Sequence, residues 1–149
     1  MKFTVIAVGK LKERFWADAC AEYVKRLRPY APTQVVELAD NGRDREADAI
    51  LRAIDARPER ARVVLLAIDG TQRSSENLAA HLDELALGGT SEVVLVIGGS
   101  DGVTQAVRDR ADETLSFGPI TLPHNLARVV LLEQLYRTQK ISRNEPYHK

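Results

Sequence analysis

The sequence predicts an α/β fold, a mostly parallel sheet flanked by helices on both faces. Three observations carry this. Short apolar runs alternate with segments of helical periodicity along the whole chain. The apolar runs are continuous, as in EVVLVI (92–97), which is how strands buried on both faces read. The 149 residues suit one domain with its own core and leave little room for a second, so residues 1–149 are read as a single domain.

In order, KFTVIAVG (2–9) is a buried strand. FWADACAEYVKRL (15–27) is an amphipathic helix ended by Pro29, with Trp16, Cys20 and Tyr23 read as core. TQVVELA (33–39) is a second strand. DREADAILRAIDA (44–56) is a helix with Ala47, Ile50, Leu51 and Ile54 on one face. RVVLLAID (62–69) is a third strand, turning at Asp69-Gly70. SSENLAAHLDELAL (74–87) opens on a serine cap and stops at Gly88-Gly89. After the fourth strand come a short helix, GVTQAVRDRA (102–111), and a weaker fifth strand, ETLSFG (113–118). The longest helix, PHNLARVVLLEQLYRTQKI (123–141), has Pro123 in its first turn. Its apolar residues wrap most of its circumference, so it needs burial on several sides, and a homodimer is expected to supply one of them.

Lys and Arg balance Asp and Glu at 21 each, but the balance is uneven along the chain. Six cations face three acids between Lys10 and Arg28, and five face two between His124 and Lys149. The stretch from Ala61 to Pro123 holds nine carboxylates and four arginines. Two basic ends that meet in space present a basic face to nucleic acid. The single cysteine, Cys20, excludes an internal disulfide and fits a reducing, cytoplasmic setting. The opening apolar run breaks at Gly9, too short for a membrane span and without a leader's cleavage pattern. His81, His124 and His148 are scattered and Cys20 is alone, so no metal site is expected.

IGGSDG (97–102), after the fourth strand, lacks the spacing of a dinucleotide fingerprint and the lysine of a phosphate loop. Glycines at a strand's C-terminal end still suit a flat ligand, because backbone amides and carbonyls can reach it. SFGPITLPHN (116–125) is a second such loop, with Gly118, Pro119 and Thr121. Together the two loops suggest adenosine held without phosphate clamps.

VVLVIGGSDGV, followed by LSFGPITLPHNLARVVLLEQLYRTQKISRNEPYHK, closely resembles the RlmH family of 23S rRNA pseudouridine N3-methyltransferases. MKFTVIAVGKLK and AEYVKRLRPYAPTQVVELAD are similar to it too. The family belongs to the SPOUT methyltransferases. The resemblance therefore implies a C-terminal trefoil knot, S-adenosylmethionine as donor, a homodimer, and 23S rRNA in the assembled 70S ribosome as substrate. It places the cofactor on Leu66, Gly98, Phe117, Gly118, Pro119, Ile120, Thr121 and Leu122. GGSDG stands where GGPEG is common in the family, which leaves the role of Asp101 open.

Methyl transfer to N3 requires the acceptor nitrogen in line with the methyl group and its proton removed. Arg137, Arg143, Tyr147 and His148 are the candidates for the acceptor side, with no general base singled out. Glu133 and His124 are expected to fix local structure. A tRNA methyltransferase of the same fold and a nucleotide-binding module without chemistry are the alternatives.

Overall fold

A computed structural model describes residues 1–149. The element order is β1 (Lys2–Val8), α1 (Arg14–Leu27), β2 (Thr33–Leu38), α2 (Arg43–Asp55), β3 (Arg62–Leu66), α3 (Ser75–Leu87), β4 (Glu92–Ile97), α4 (Gln105–Arg110), β5 (Glu113–Leu115) and α5 (His124–Ser142). All strand pairs are parallel, in the order β2-β1-β4-β3-β5.

The pleat divides the core. Phe3, Val5, Ala7, Val64, Val93, Leu95 and Ile97 face α1, α3 and α5, where they meet Cys20, Leu82, Leu131 and Leu135. Ile6, Val8, Val63, Leu65, Val94 and Val96 face α2 and α4, where they meet Ala47, Ile50, Ile54 and Val107. Both faces are therefore covered, as the continuous apolar runs require.

Element ends depart from the sequence reading where turns or side chains capture the backbone. β3 stops at Leu66 because the Gly70 amide closes a turn onto the Ala67 carbonyl at 3.0 Å. β5 stops at Leu115 because the Ser116 hydroxyl donates to the Ile68 carbonyl at 2.7 Å and accepts from the Gly118 amide at 3.0 Å. α4 begins at Gln105, capped by the Thr104 hydroxyl, so Gly102–Thr104 belongs to the turn. The expected cap of α3 is present: the Ser74 hydroxyl accepts from the Asn77 amide at 3.0 Å.

α5 finds more burial within its own chain than its pattern suggests. It packs on α1 and α3, and Leu131, Leu132 and Leu135 are inaccessible to solvent. Leu126 and Val130 stay half-buried and outside both core clusters. Trp16 is not core. It lies one turn before Cys20, beyond the reach of the core cluster, half-buried against the exposed ring of Phe15. Tyr23 is partly buried against the core's edge, and Cys20 is buried, which raises its thiol pKa.

Candidate functional site

In a parallel sheet the loops leaving the strands' C-terminal ends gather on one edge. Here those after β3, β4 and β5 enclose a cavity of about 750 Å³. Leu66 and Ile68 come from the first loop, Gly98, Gly99 and Gly102 from the second, and Phe117, Gly118, Ile120, Thr121 and Leu122 from the third. Seven of the eight residues expected to hold the cofactor thus line one cavity; Pro119 does not. Leu66, the last residue of β3, is half-buried and belongs to the wall. Asp101 is exposed and outside the lining.

Ser116 joins the loops. Besides its hydroxyl bonds, its amide donates to the Thr71 carbonyl at 2.8 Å, and the Ala67 amide reaches the Leu115 carbonyl at 2.9 Å. The β3 and β5 loops are therefore stitched together through a buried hydroxyl that sequence reading passed over.

The glycines do different work. A Cβ on Gly98 would lie 2.6 Å from Val103 Cγ1, and one on Gly99 would lie 2.7 Å from Glu46 Oε1. Those two side chains are absent because the turn itself packs tightly, whereas Gly118, at φ +100°, has open space beside it. Gly98→Ala is therefore expected to lower stability by about 1–3 kcal/mol, as overpacking does. The double variant Gly98→Ala with Val103→Ala should recover part of that loss in urea unfolding. A Gly98→Ala protein as stable as the parent would overturn this packing account.

Few charges reach the cavity. Arg108 lies 3.4 Å from Asp69, and His124 packs over Gly9 with Nε2 3.3 Å from where a Cβ would stand. With its arginine facing a carboxylate and its walls largely apolar, the cavity fits an uncharged flat ring better than a polyphosphate. No group of three His, Cys, Asp or Glu side chains lies close enough to hold a metal ion.

A second polar cluster forms where the C-terminal tail folds back on α5. Glu133 Oε1 accepts from Arg137 Nε at 2.9 Å, from Arg137 Nη2, and from the Tyr147 hydroxyl at 3.1 Å. The Arg137 guanidinium lies over the Tyr147 ring, 4.7 Å from its centre. Arg137 also meets His148 Nδ1 at 3.1 Å. Arginine only donates, so Nδ1 accepts and the proton of a neutral ring sits on Nε2, which donates to Glu76 at 2.6 Å. Burial and the Glu133 hydrogen bond push the Tyr147 phenol up to about 12, so it stays protonated at neutral pH. In this arrangement neither Tyr147 nor His148 has a lone pair placed as a base. Arg143 is elsewhere, exposed and over the Tyr30 ring.

The tail is clamped by Glu145, which accepts from the Tyr30 hydroxyl at 2.7 Å and from Lys140 at 2.9 Å. The Tyr30 bond first, then Lys140, holds the Glu145 carboxyl below its ordinary value. A carboxyl lowered by folding adds stability above the unfolded pKa, about 4.3, and that stability disappears as pH falls through the lower folded value. The Tyr30 ring resonances should therefore titrate with a midpoint below about pH 4.3. A midpoint at or above that value means the clamp does not form.

Arg137, Tyr147 and His148 thus come together, and so do the cavity residues, but at opposite ends of α5. From His124 to Arg137 the helix rises about 20 Å.

Comparison with known proteins places this geometry. The family described as "Predicted SPOUT methyltransferase" matches residues 1–148. The chain belongs to the SPOUT methyltransferase family. Proteins named "Ribosomal RNA large subunit methyltransferase H" are similar to it end to end. That of Listeria monocytogenes is 46% identical over 162 residues, with 100% of both chains covered. That of Bifidobacterium adolescentis is 48% identical over 159 residues, and that of Bacillus thuringiensis 45% over 159, again with 100% of both chains covered. As a SPOUT methyltransferase the chain transfers a methyl group, and its cavity is the place to look for the donor.

Proposed function

We propose that this SPOUT methyltransferase transfers the methyl group of S-adenosylmethionine to N3 of a pseudouridine in the 23S rRNA of assembled ribosomes. The observation that carries the reading is the loop cavity, formed by the residues expected to hold the cofactor. The full-length similarity to proteins named for large-subunit rRNA methylation supports the substrate. No helix is long and apolar enough to cross a membrane, which suits an enzyme working on ribosomes in the cytoplasm.

The residues present fit the donor. The adenine would lie between the Gly98 turn and the Phe117–Leu122 loop, where Gly118 has open space beside it, and Leu66 would close one wall. When bound, S-adenosylmethionine supplies a methyl group on a positively charged sulfur, with a neutral leaving group. The protein's part is to orient the acceptor and to manage one proton. Arg137, a fixed cation, favours the anionic form of N3, and Tyr147 and His148 contact the nucleotide. The proton leaves to His148 once its ring is released from Arg137, or to solvent.

A single chain cannot do this, because its own Arg137 and its own cavity are about 20 Å apart along α5. In a homodimer, the half-buried Leu126 and Val130 of α5 offer the apolar contact, and each tail serves the other copy's cavity. A trefoil knot in the C-terminal part is consistent with the strand order, in which the connection from β4 to β5 passes over β3.

The test is transfer of labelled methyl to ribosomes lacking the modification, beside free 23S rRNA, tRNA, and ribosomes with uridine at the target. Label only on pseudouridine-bearing ribosomes is expected. Label on tRNA alone would move the enzyme to another substrate, and donor binding without any label would leave a binding module.

A further inference from the structure

The exposed apolar side chains of this protein include one aromatic, Phe15, which is 64% accessible. It stands on the first turn of α1, directly after the loop Gly9–Glu13, among Lys10, Lys12 and Arg14, all exposed. None of these three cations enters an ion pair. The next cation but one along α1, Arg26, is by contrast bonded to Glu22 at 2.7 Å and stacked over Tyr23.

The loop is held still. The Gly9 amide donates to the Leu38 carbonyl at 2.8 Å, and the Gly9 carbonyl accepts from Arg128 at 2.9 Å. Leu11 packs against the core, and its amide reaches Glu37 at 3.4 Å. With Leu11 turned inward, Lys10 and Lys12 on either side of it are left to solvent. The Trp16 ring, 4.9 Å from Phe15 and inclined at 54°, backs the phenyl group. Gly9 lies beside His124, a wall residue of the donor cavity, so the segment starts next to that cavity.

We propose that Gly9–Glu13 and the first turn of α1 form an RNA-contact surface, in which Lys10, Lys12 and Arg14 hold phosphates and Phe15 stacks on a base flanking the target nucleotide. Unpaired cations around a solvated ring are the elements that bind unstacked RNA, and anchoring them beforehand lowers the ordering cost. A second copy of the chain is the poorer occupant. The core of a protein interface is depleted of charge, and here Lys10, Lys12, Glu13, Arg14 and Asp18, all exposed, flank Phe15 in the sequence. The inference rests on the reading that the enzyme acts on ribosomal RNA.

The wild-type enzyme is first assayed on undermethylated ribosomes; absence of transfer there defeats that reading before any variant is tested. Lys10→Gln/Lys12→Gln/Arg14→Gln is then expected to raise KM for ribosomes roughly tenfold or more and to flatten its salt dependence by about two to three logarithmic units per decade. Phe15→Ala should raise KM roughly tenfold at unchanged salt slope, with rescue by Phe15→Trp. The affinity for S-adenosylmethionine and the mass in solution should stay at wild-type values in all three. Unchanged KM and slope would overturn the proposal. A halved mass would overturn it too, giving the face to a second copy.

Discussion

Arg137→Ala is expected to slow methyl transfer to ribosomes by at least about a hundredfold, with the affinity for S-adenosylmethionine unchanged within about twofold. The guanidinium is a permanent charge, and its bonds to Glu133 raise its pKa further, so it cannot take the N3 proton itself. Its contribution is to make the nitrogen more acidic and to hold the anion in line. The pH dependence should report this directly. Without Arg137 the acceptor keeps its proton to higher pH, so the variant's rate should go on rising with pH where the wild type has levelled off. Glu133→Gln leaves the cation in place but loosens it and Tyr147 together, and a loss smaller than that of Arg137→Ala is expected. A variant Arg137→Ala with normal turnover on ribosomes would remove Arg137 from the mechanism.

The second large effect concerns stability. Arg128 is 2% exposed and ties α5 to two distant segments, through Glu37 at the end of β2 and the carbonyl of Gly9. Its Nε is buried without a partner, so the residue bears a desolvation cost that its two contacts must offset. Truncation leaves a carbonyl without its donor and a carboxylate without its counter-charge. Breaking a buried pair costs about 3–5 kcal/mol, and the 37% exposure of the Glu37 side chain argues for the lower end. Arg128→Ala should therefore lower Tm by roughly 6–12 °C. Arg128→Met combined with Glu37→Gln should recover much of it, because the stem is replaced and no buried charge is left alone. A shift of under about 2 °C for Arg128→Ala would show that the pair contributes little.

That pair also marks where the sequence stops being informative. The strands were legible because Val, Ile and Leu runs end at Gly9, Gly70 and Gly98, and the cavity loops because glycines and Pro119 interrupt apolar runs at strand ends. Arg128 and Glu37 are 91 residues apart, and nothing local distinguishes a buried arginine from the solvated ones around it. Glu46 reads as one more acid of a charged helix, yet it is 2% exposed, accepts the Asn41 and Gly42 amides, and fills the space under Gly99. Ser116 gives no signal either, since a hydroxyl that stitches two loops looks like any serine in a turn. Trp16 misleads in the other direction: helical spacing gives the face of a side chain but not how far the core extends beneath it. The grouping of Arg137 with Tyr147 and His148 follows from the tail's return onto α5, which the positive φ of Asn144 permits and no periodicity announces.

The strand order has a consequence for how the molecule comes into being. β3 has only β4 and β5 as neighbours, and β1 has only β2 and β4, so the first and third strands are not joined until residues 92–97 are available. α1 and α3 in turn find their main helical partner in α5, the last element made. A nascent chain emerging amino terminus first has almost no partial domain it can stabilise, and long-range pairing of this kind is slow and exposes apolar surface while it waits. Production of the protein should accordingly be sensitive to anything that truncates or delays residues 92–149, and to the supply of chaperones that shield strands without partners.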